Sequence, residues 1–357
     1  MKNRVAIAFI IATILSAVNW QLAIAQSNFN DSPIGKIVEA SGEVLLQRRG
    51  RSQFHRTSVG TNLYSGDLLK LNRGIRAIVF CYENRQSWRV PEGISGAGNG
   101  CPPTSQAIFT PSGPIGPTRS SSYPIPDIIS PRRTAILNNK PTFRWYPVAG
   151  ATSYIVRVSG TGVNWEQEVS TTEIVYASDR ALQPGGIYSL SVKANNSPVV
   201  AQEVFTLVKL EDAQRILTDI EAVNRQDLPD EGKILILVEI YLKNKLIAEA
   251  TDKLEDLVKR GTKTAAFYYT LGELYGQIGL INLALNRYLQ AIELGKTAND
   301  IEAQAQAKTR LAAFYSAMGN FKEAINWLTQ AKTEYETLGE QQQINEIEQQ
   351  LQKLKNQ

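Results

Sequence analysis

His55 is the only histidine among 357 residues, and Cys81 and Cys101 are the only cysteines. A Ser-His-Asp arrangement would have to use His55, which sits among arginines with no nucleophile motif beside it. A histidine-rich metal site is excluded by count, and the two cysteines lack the CxxC spacing of zinc ligands. Gly96-Ala97-Gly98-Asn99-Gly100 has the look of a phosphate-cradling loop, but it runs into Cys101-Pro102-Pro103. It therefore lacks the following helix whose N-terminus would hold the anion. The carboxylates of the C-terminal region are interspersed with Lys, Gln and Asn, as on solvated helix faces. The expectation is a non-enzyme with no metal and no cofactor.

What the cysteines can do depends on the compartment. Lys2 and Arg4 precede an apolar run from Val5 to Val18, and Ala23-Ile24-Ala25 forms a small-x-small site before Gln26. This is the pattern of a secretory signal peptide over residues 1–25. The run is shorter than the roughly 18–20 apolar residues that span a bilayer, and no later segment is apolar enough to do so. The expected location is periplasmic or extracellular. An oxidising compartment permits a Cys81–Cys101 bridge, worth about 3 kcal/mol in the loop-entropy model, the alternative being two free thiols. The turn-rich PEGISGAGNG between them has little apolar content with which to hold itself.

Charge is distributed unevenly. Lys and Arg outnumber Asp and Glu by 11 to 7 over residues 26–130 and by 8 to 5 over 131–210, but are outnumbered 17 to 22 over 211–357. Arg48, Arg49, Arg51, Arg56, Lys70, Arg73 and Arg76 crowd the front region, with Phe54, His55 and Tyr64 among them. Such a patch could meet an anionic glycan or a phosphate-bearing cell-wall polymer. The plainer reading is a solvated hairpin whose charges protect strand edges. No nucleic-acid motif accompanies the charges, and no nucleic-acid partner is expected.

The elements that carry these residues fall into three regions. Short alternating apolar runs broken by turn residues predict an all-β domain over 33–101. The phrases GKIVEASGEVLLQRRG, VGTNLYSGDLL and RAIVFCYENRQSWRVPEG, with Gly66-Asp67 as the turn, resemble the FecR-like β-domain of bacterial envelope proteins. Eight prolines over 102–131 predict an extended linker. From 132 to 209, period-two alternation at Tyr154, Val156 and Val158 and at Tyr188, Leu190 and Val192 predicts an antiparallel sandwich. Trp145, Tyr154 and the LQPGGIY turn into Tyr188 resemble fibronectin type III and related immunoglobulin-like modules, which space or present their neighbours.

Residues 211–357 are helical by period. Tyr268, Leu271, Gly272, Tyr275, Ala284, Tyr288 and Ala291 stand at the offsets of a helix pair in which large residues face small ones. Equivalent residues recur 34 positions earlier, as Leu237, Tyr241, Ala250, Leu254 and Leu257, and 40 positions later, as Leu311, Tyr315, Ala324, Leu328 and Ala331. The region resembles the tetratricopeptide family, with a polar-faced terminal helix carrying Ile344, Ile347, Leu351 and Leu354. The resemblance implies a concave protein-binding groove at Leu235, Glu239, Leu242, Lys243, Tyr269, Glu273, Gln277, Thr309, Ala313 and Ser316. These residues do not form the Lys/Asn clamp that captures a C-terminal carboxylate. The expected protein is a multidomain chain: all-β FecR-like domain, β-sandwich, then all-α tetratricopeptide solenoid. Its expected role is an exported envelope scaffold or adaptor binding another protein through the groove, the alternative being a cell-wall or anionic-polysaccharide binder acting through the basic β-domain.

Cleavage at the Ala-Ile-Ala site yields a mature chain beginning at Gln26. Intact-mass measurement of the exported pool checks this, and a species retaining Met1 counts against it.

Overall fold

A computed structural model of the chain describes residues 32–104, 115–116 and 125–357. The expected signal peptide and most of the proline-rich segment lie outside them. The front region forms β1 (Gly35–Ala40), β2 (Val44–Gln47), β3 (His55–Thr57), β4 (Asn62–Leu63), β5 (Leu68–Leu71), β6 (Ala77–Cys81), β7 (Ser87–Arg89) and β8 (Gly93–Gly96), then a single turn of helix, α1 (Ala97–Gly100). They build two antiparallel four-stranded sheets in the orders β4-β1-β6-β7 and β3-β2-β5-β8. Val44 and Leu46 on β2 and Leu69 and Leu71 on β5 alternate inward, as a half-buried sheet requires, and meet Ile37, Leu63 and Val79 of the other sheet. Cys81 and Cys101 are disulfide-bonded with Cα atoms 5.0 Å apart, and both are buried in this core.

Strand β6 departs from alternation, because all five of its residues are buried. Ala77, Val79 and Cys81 face the core between the sheets. Ile78 and Phe80, with Val38 and Tyr82, join the apolar core of the helical region. A strand covered on both faces reads as a continuous apolar run, and Ala77-Ile78-Val79-Phe80-Cys81 is one.

The middle region is a sandwich of β9 (Ile128–Ser130), β10 (Thr134–Ile136), β11 (Thr142–Trp145), β12 (Tyr154–Gly160), β13 (Val163–Val169), β14 (Glu173–Val175), β15 (Ile187–Ala194) and β16 (Val200–Leu207). The sheets run β10-β16-β15-β12-β13 and β14-β11-β9, with β10 parallel to β16. Their shared core holds Trp145 against Tyr154 at 5.5 Å and Tyr188 stacked on Phe205 at 5.5 Å between centroids. Strand β9 lies inside the stretch expected to be linker. Its flanking Pro126 and Pro131 fall outside the strand, where a missing N–H costs no ladder bond, and Ile128 is buried in the sandwich.

The C-terminal region consists of α2 (Leu210–Asn224), α3 (Asp230–Lys243), α4 (Ile247–Lys259), α5 (Ala265–Gln277), α6 (Ile281–Ala298), α7 (Ile301–Ala317), α8 (Phe321–Leu338) and α9 (Gln341–Lys355). These are antiparallel helix pairs following an N-terminal β-sheet region. The 40-residue spacing of the last repeat reflects the length of α6, which ends at Asn299 in the left-handed conformation. Helices α5 and α6 approach closely. A Cβ on Gly272 would lie 2.7 Å from the Tyr288 ring, and Ala284 and Ala291 are fully buried.

Ala284→Leu is expected to destabilise the fold by roughly 1–3 kcal/mol through overpacking at this seam. A thermal melt of the full chain no lower than wild type would show that the faces are assigned wrongly.

Candidate protein-binding groove

The groove expected on the first helices of the repeats is filled by the chain's own β-domain. From β1, the Lys36 ammonium lies 2.5 Å from Glu239 of α3, and the Tyr82 hydroxyl donates to the same carboxylate at 2.8 Å. After β2, Arg48 pairs with Glu302 of α7, while its other nitrogen donates to Asp67 at 2.7 Å and to the Asn62 carbonyl at 2.9 Å. His55 places Nε2 3.2 Å from the second oxygen of Glu302, and Arg51 donates to Glu340 at 3.1 Å, just before α9. Arg85 reaches Asp219 of α2 at 2.8 Å. Backbones also approach. A Cβ on Gly60 would meet that of Ala266 on α5 at 2.2 Å, and one on Gly232 of α3 would sit 2.7 Å from the Val38 carbonyl.

Magnitudes separate what holds this contact from what orients it. An exposed ion pair such as Arg85–Asp219 contributes about 0–1 kcal/mol, and in the largely buried Arg48–Glu302 pair the attraction is set against the cost of desolvating both charges. Fully burying a large apolar side chain contributes roughly 1.5–3 kcal/mol, and Val38, Ile78 and Phe80 are buried in one core with Leu235, Leu242 and Phe267. Apolar burial therefore carries the docking, and the charges set its register. A cleft of about 120 Å³ remains at the boundary, lined by Lys36, Arg48, Tyr64, Tyr269, Asp300 and Glu302 among others.

The ten positions implied by the repeat resemblance do not form one surface. Leu235 and Leu242 are buried in the core that includes the β-domain's apolar face, and Glu273 is wholly buried inside the solenoid. There it accepts from Tyr288 at 2.6 Å and from two Arg310 nitrogens at 2.5 and 2.9 Å, tying α5 to α6 and α7. Burial pushes its carboxyl upward, and the Arg310 guanidinium pulls it back. These three positions are corrected from groove to interior, because the family offsets count along the helix and take no account of what packs against it. Tyr269 is half-buried with its ring edge-on to Tyr288 at 5.8 Å, and lines the residual cleft. Glu239 faces the groove and meets Lys36; Gln277, Thr309, Ala313 and Ser316 are half-buried, and Lys243 is exposed.

The basic cluster is divided likewise. Arg48 and Arg51 turn to the solenoid, and Arg76 pairs with Glu39 at 2.8 Å. Arg49, Arg56 and Arg73 are exposed, and the Lys70 ammonium stands 5.8 Å over the Phe54 ring. Register puts Arg56, Leu45, Lys70 and Ile94 in one row across the outward face of the second sheet. Sequence reasoning missed Lys36, Glu302 and Glu340. The signal available was the opposite charge balance of the front and the repeat.

The sandwich docks separately, on the turns of the helix pairs. The Lys245 carbonyl, in a left-handed turn, accepts from Ala135 N–H at 3.0 Å and the Thr134 hydroxyl at 3.1 Å. Leu137 N–H donates to Glu249 at 2.5 Å, Arg144 pairs with Asp252, and buried Arg132 donates to the Ile278 carbonyl at 2.6 Å. A cavity of about 240 Å³ lies at this boundary, lined among others by Arg144, Tyr146, Glu255, Tyr275 and Arg287. Tyr275 and Arg287 both donate to Glu255 at 2.7 Å. Among the described residues, no three His, Cys, Asp or Glu gather as a metal site, and no helix is long and apolar enough to cross a membrane.

No family model and no curated protein matches the chain. Among solved structures, the helical half is similar to BtubC (BKLC) from P. vanneervenii, with 17% identity and a TM-score of 0.34, covering 40% of this chain and 63% of that one. The match thus spans less than two thirds of BtubC. Two structures of MamA are also similar, at 18% and 20% identity and a TM-score of 0.28 each, covering 41% and 42% of this chain and 86% and 96% of theirs.

Two interface carboxylates give stability opposite dependences on pH. Burial pushes Glu302 upward, but the Arg48 charge and the bonds from His55 and Arg48 outweigh it and hold the acid down to about 2. Its contribution is present above the ordinary carboxylate value of about 4.3 and is lost as pH falls toward 2. Burial pushes Glu249 up to about 7 against the opposing Leu137 N–H. Its contribution is present below about 4.3 and is lost as pH rises through 7. In melting curves against pH, Glu302→Gln is expected to flatten the acid limb and Glu249→Gln the fall toward neutrality. Unchanged profiles would show that neither group titrates with folding.

Proposed function

We propose that this chain is an exported envelope scaffold, not an enzyme, that recognises protein through the acidic first-helix surface of its tetratricopeptide-like repeat. One observation carries this reading. Glu239, Glu302 and Glu340 already receive a folded β-domain, through Lys36, Arg48, His55 and Arg51, so the surface is shaped and charged to hold protein. The Cys81–Cys101 bridge accords with an oxidising compartment, periplasmic or extracellular. In this reading, residues 33–101 are a FecR-like module and 132–209 a fibronectin type III or immunoglobulin-like spacer that braces the solenoid.

A second reading has its own observation. The outward row of Arg56, Leu45, Lys70 and Ile94 is cationic and contains no carboxylate. It suits an anionic cell-wall polymer.

The two readings separate by experiment. Lys36→Ala with Arg51→Ala in the full chain loosens the β-domain and is expected to raise retrieval of envelope proteins several-fold. Adding Glu239→Gln and Glu340→Gln should return it to the wild-type level. If instead retrieval never changes, while Arg56→Ala with Lys70→Ala abolishes retention on an anionic polysaccharide resin, the polymer reading replaces the protein one.

A further inference from the structure

We propose that the groove also takes the β-domain of a second copy of this chain, by the contacts it makes with its own. The inference rests on the reading of the groove as a protein-binding surface, and it names the partner. Among the described residues, the polar contacts across the boundary join residues before Cys101 to residues after Asp212, so nothing in their chemistry requires both sides to belong to one chain. Lys36 and Tyr82 meet Glu239, Arg48 and His55 meet Glu302, and Arg51 meets Glu340. A second copy is complementary to this surface by construction.

The β-domain is equipped to move as a unit. Its inner core, from Ile34 to Cys101, closes on itself and is stapled by the disulfide. Its outer face is different: Val38, Ile78, Phe80 and Tyr82 are buried only through the solenoid's core. A β-domain that leaves the groove exposes these side chains and uncovers the face of α3 at Gly232 against which Val38 packs, so both halves are driven to find cover. Either the same chain or another supplies it. Residues 102–114 separate Cys101 from Ile115, which packs in the solenoid's core, and 13 residues have an extended reach on the order of 40 Å.

Tethering decides the balance. A tether of this length holds its own β-domain at an effective concentration on the order of millimolar, so the contact within one chain dominates in dilute solution and exchange grows with protein concentration. The product of reciprocal exchange is a closed pair in which each groove is filled and no new surface is exposed.

The test uses unmodified protein. Equal amounts of ¹⁴N- and ¹⁵N-labelled full chain are mixed, incubated and treated with a zero-length carbodiimide cross-linker, which can join Lys36 to Glu239 across their 2.5 Å contact. Cross-linked peptides of mixed isotope report contact between copies. Their share is expected to rise at least tenfold between about 10 µM and 1 mM. Cross-links of single isotope only, at every concentration, overturn the proposal and leave the envelope-retrieval experiment unaffected.

A second arm uses charge reversal. Full chains carrying Lys36→Glu with Arg51→Glu, and Glu239→Lys with Glu340→Lys, each repel their own β-domain, but together restore both contacts with opposite charges. Both leave the Arg48–Asp67 pair intact. The mixture should show twice the monomer mass by light scattering, at a concentration where each variant alone remains monomeric, and revert in high salt. Two variants that keep wild-type circular dichroism and do not associate would equally overturn it.

Discussion

Both faces of β6 are covered, and the rest of the molecule is arranged around that fact. One face of Ala77–Cys81 closes the β-domain's own core, and the other is finished by helices that begin some 150 residues later in the chain. A small β-domain of two four-stranded sheets needs little beyond its inner core and disulfide to be compact. A second apolar face on it is a cost in water unless something lies against it. The solenoid supplies that cover from α3, whose Gly232 lies against Val38 and whose Glu239 meets Lys36 and Tyr82. The result is a body in which the repeat's groove is an interior.

Electrostatics around this interior follows access to water. Glu302 keeps its charge because Arg48 and His55 replace the solvent it loses, and Arg48 is in turn steadied by Asp67. Among the described residues Glu249 meets a backbone N–H and no cation, so the same burial raises its carboxyl. The two acids sit under different docked domains. Their opposite responses arise from the partner, since burial acts on both in the same direction.

The helical repeat was legible because its signals are local: small residues at Gly272, Ala284 and Ala291, spaced against Leu271, Tyr275 and Tyr288, describe one helix pair that neighbours must complete. The period-two strands of the sandwich were legible for the same reason. The site was read less well. Offsets along a repeat identify which helix face is concave, but what fills the concavity is a long-range fact. Leu235 and Leu242 read as groove residues and are core because Val38 and Phe80 belong to the same core. Two signs were present. Ala77-Ile78-Val79-Phe80-Cys81 breaks the alternation of a one-sided strand, and cations in the front region balance acids in the repeat. Neither points to a particular partner residue, since Lys36 and Glu239 are joined only by the fold. The strand β9 was obscured by the prolines on either side of it, which mark linkers and strand ends alike.

The order of synthesis gives the two-faced strand a consequence in time. Tyr82 emerges 157 residues before Glu239, and at about 5–20 residues per second the β-domain waits roughly 8–30 s for the helix that covers it. During that interval Val38, Ile78 and Phe80 have no helix to cover them. Uncovered apolar side chains of this kind are a natural handle for a holding chaperone, and a liability where several chains emerge side by side.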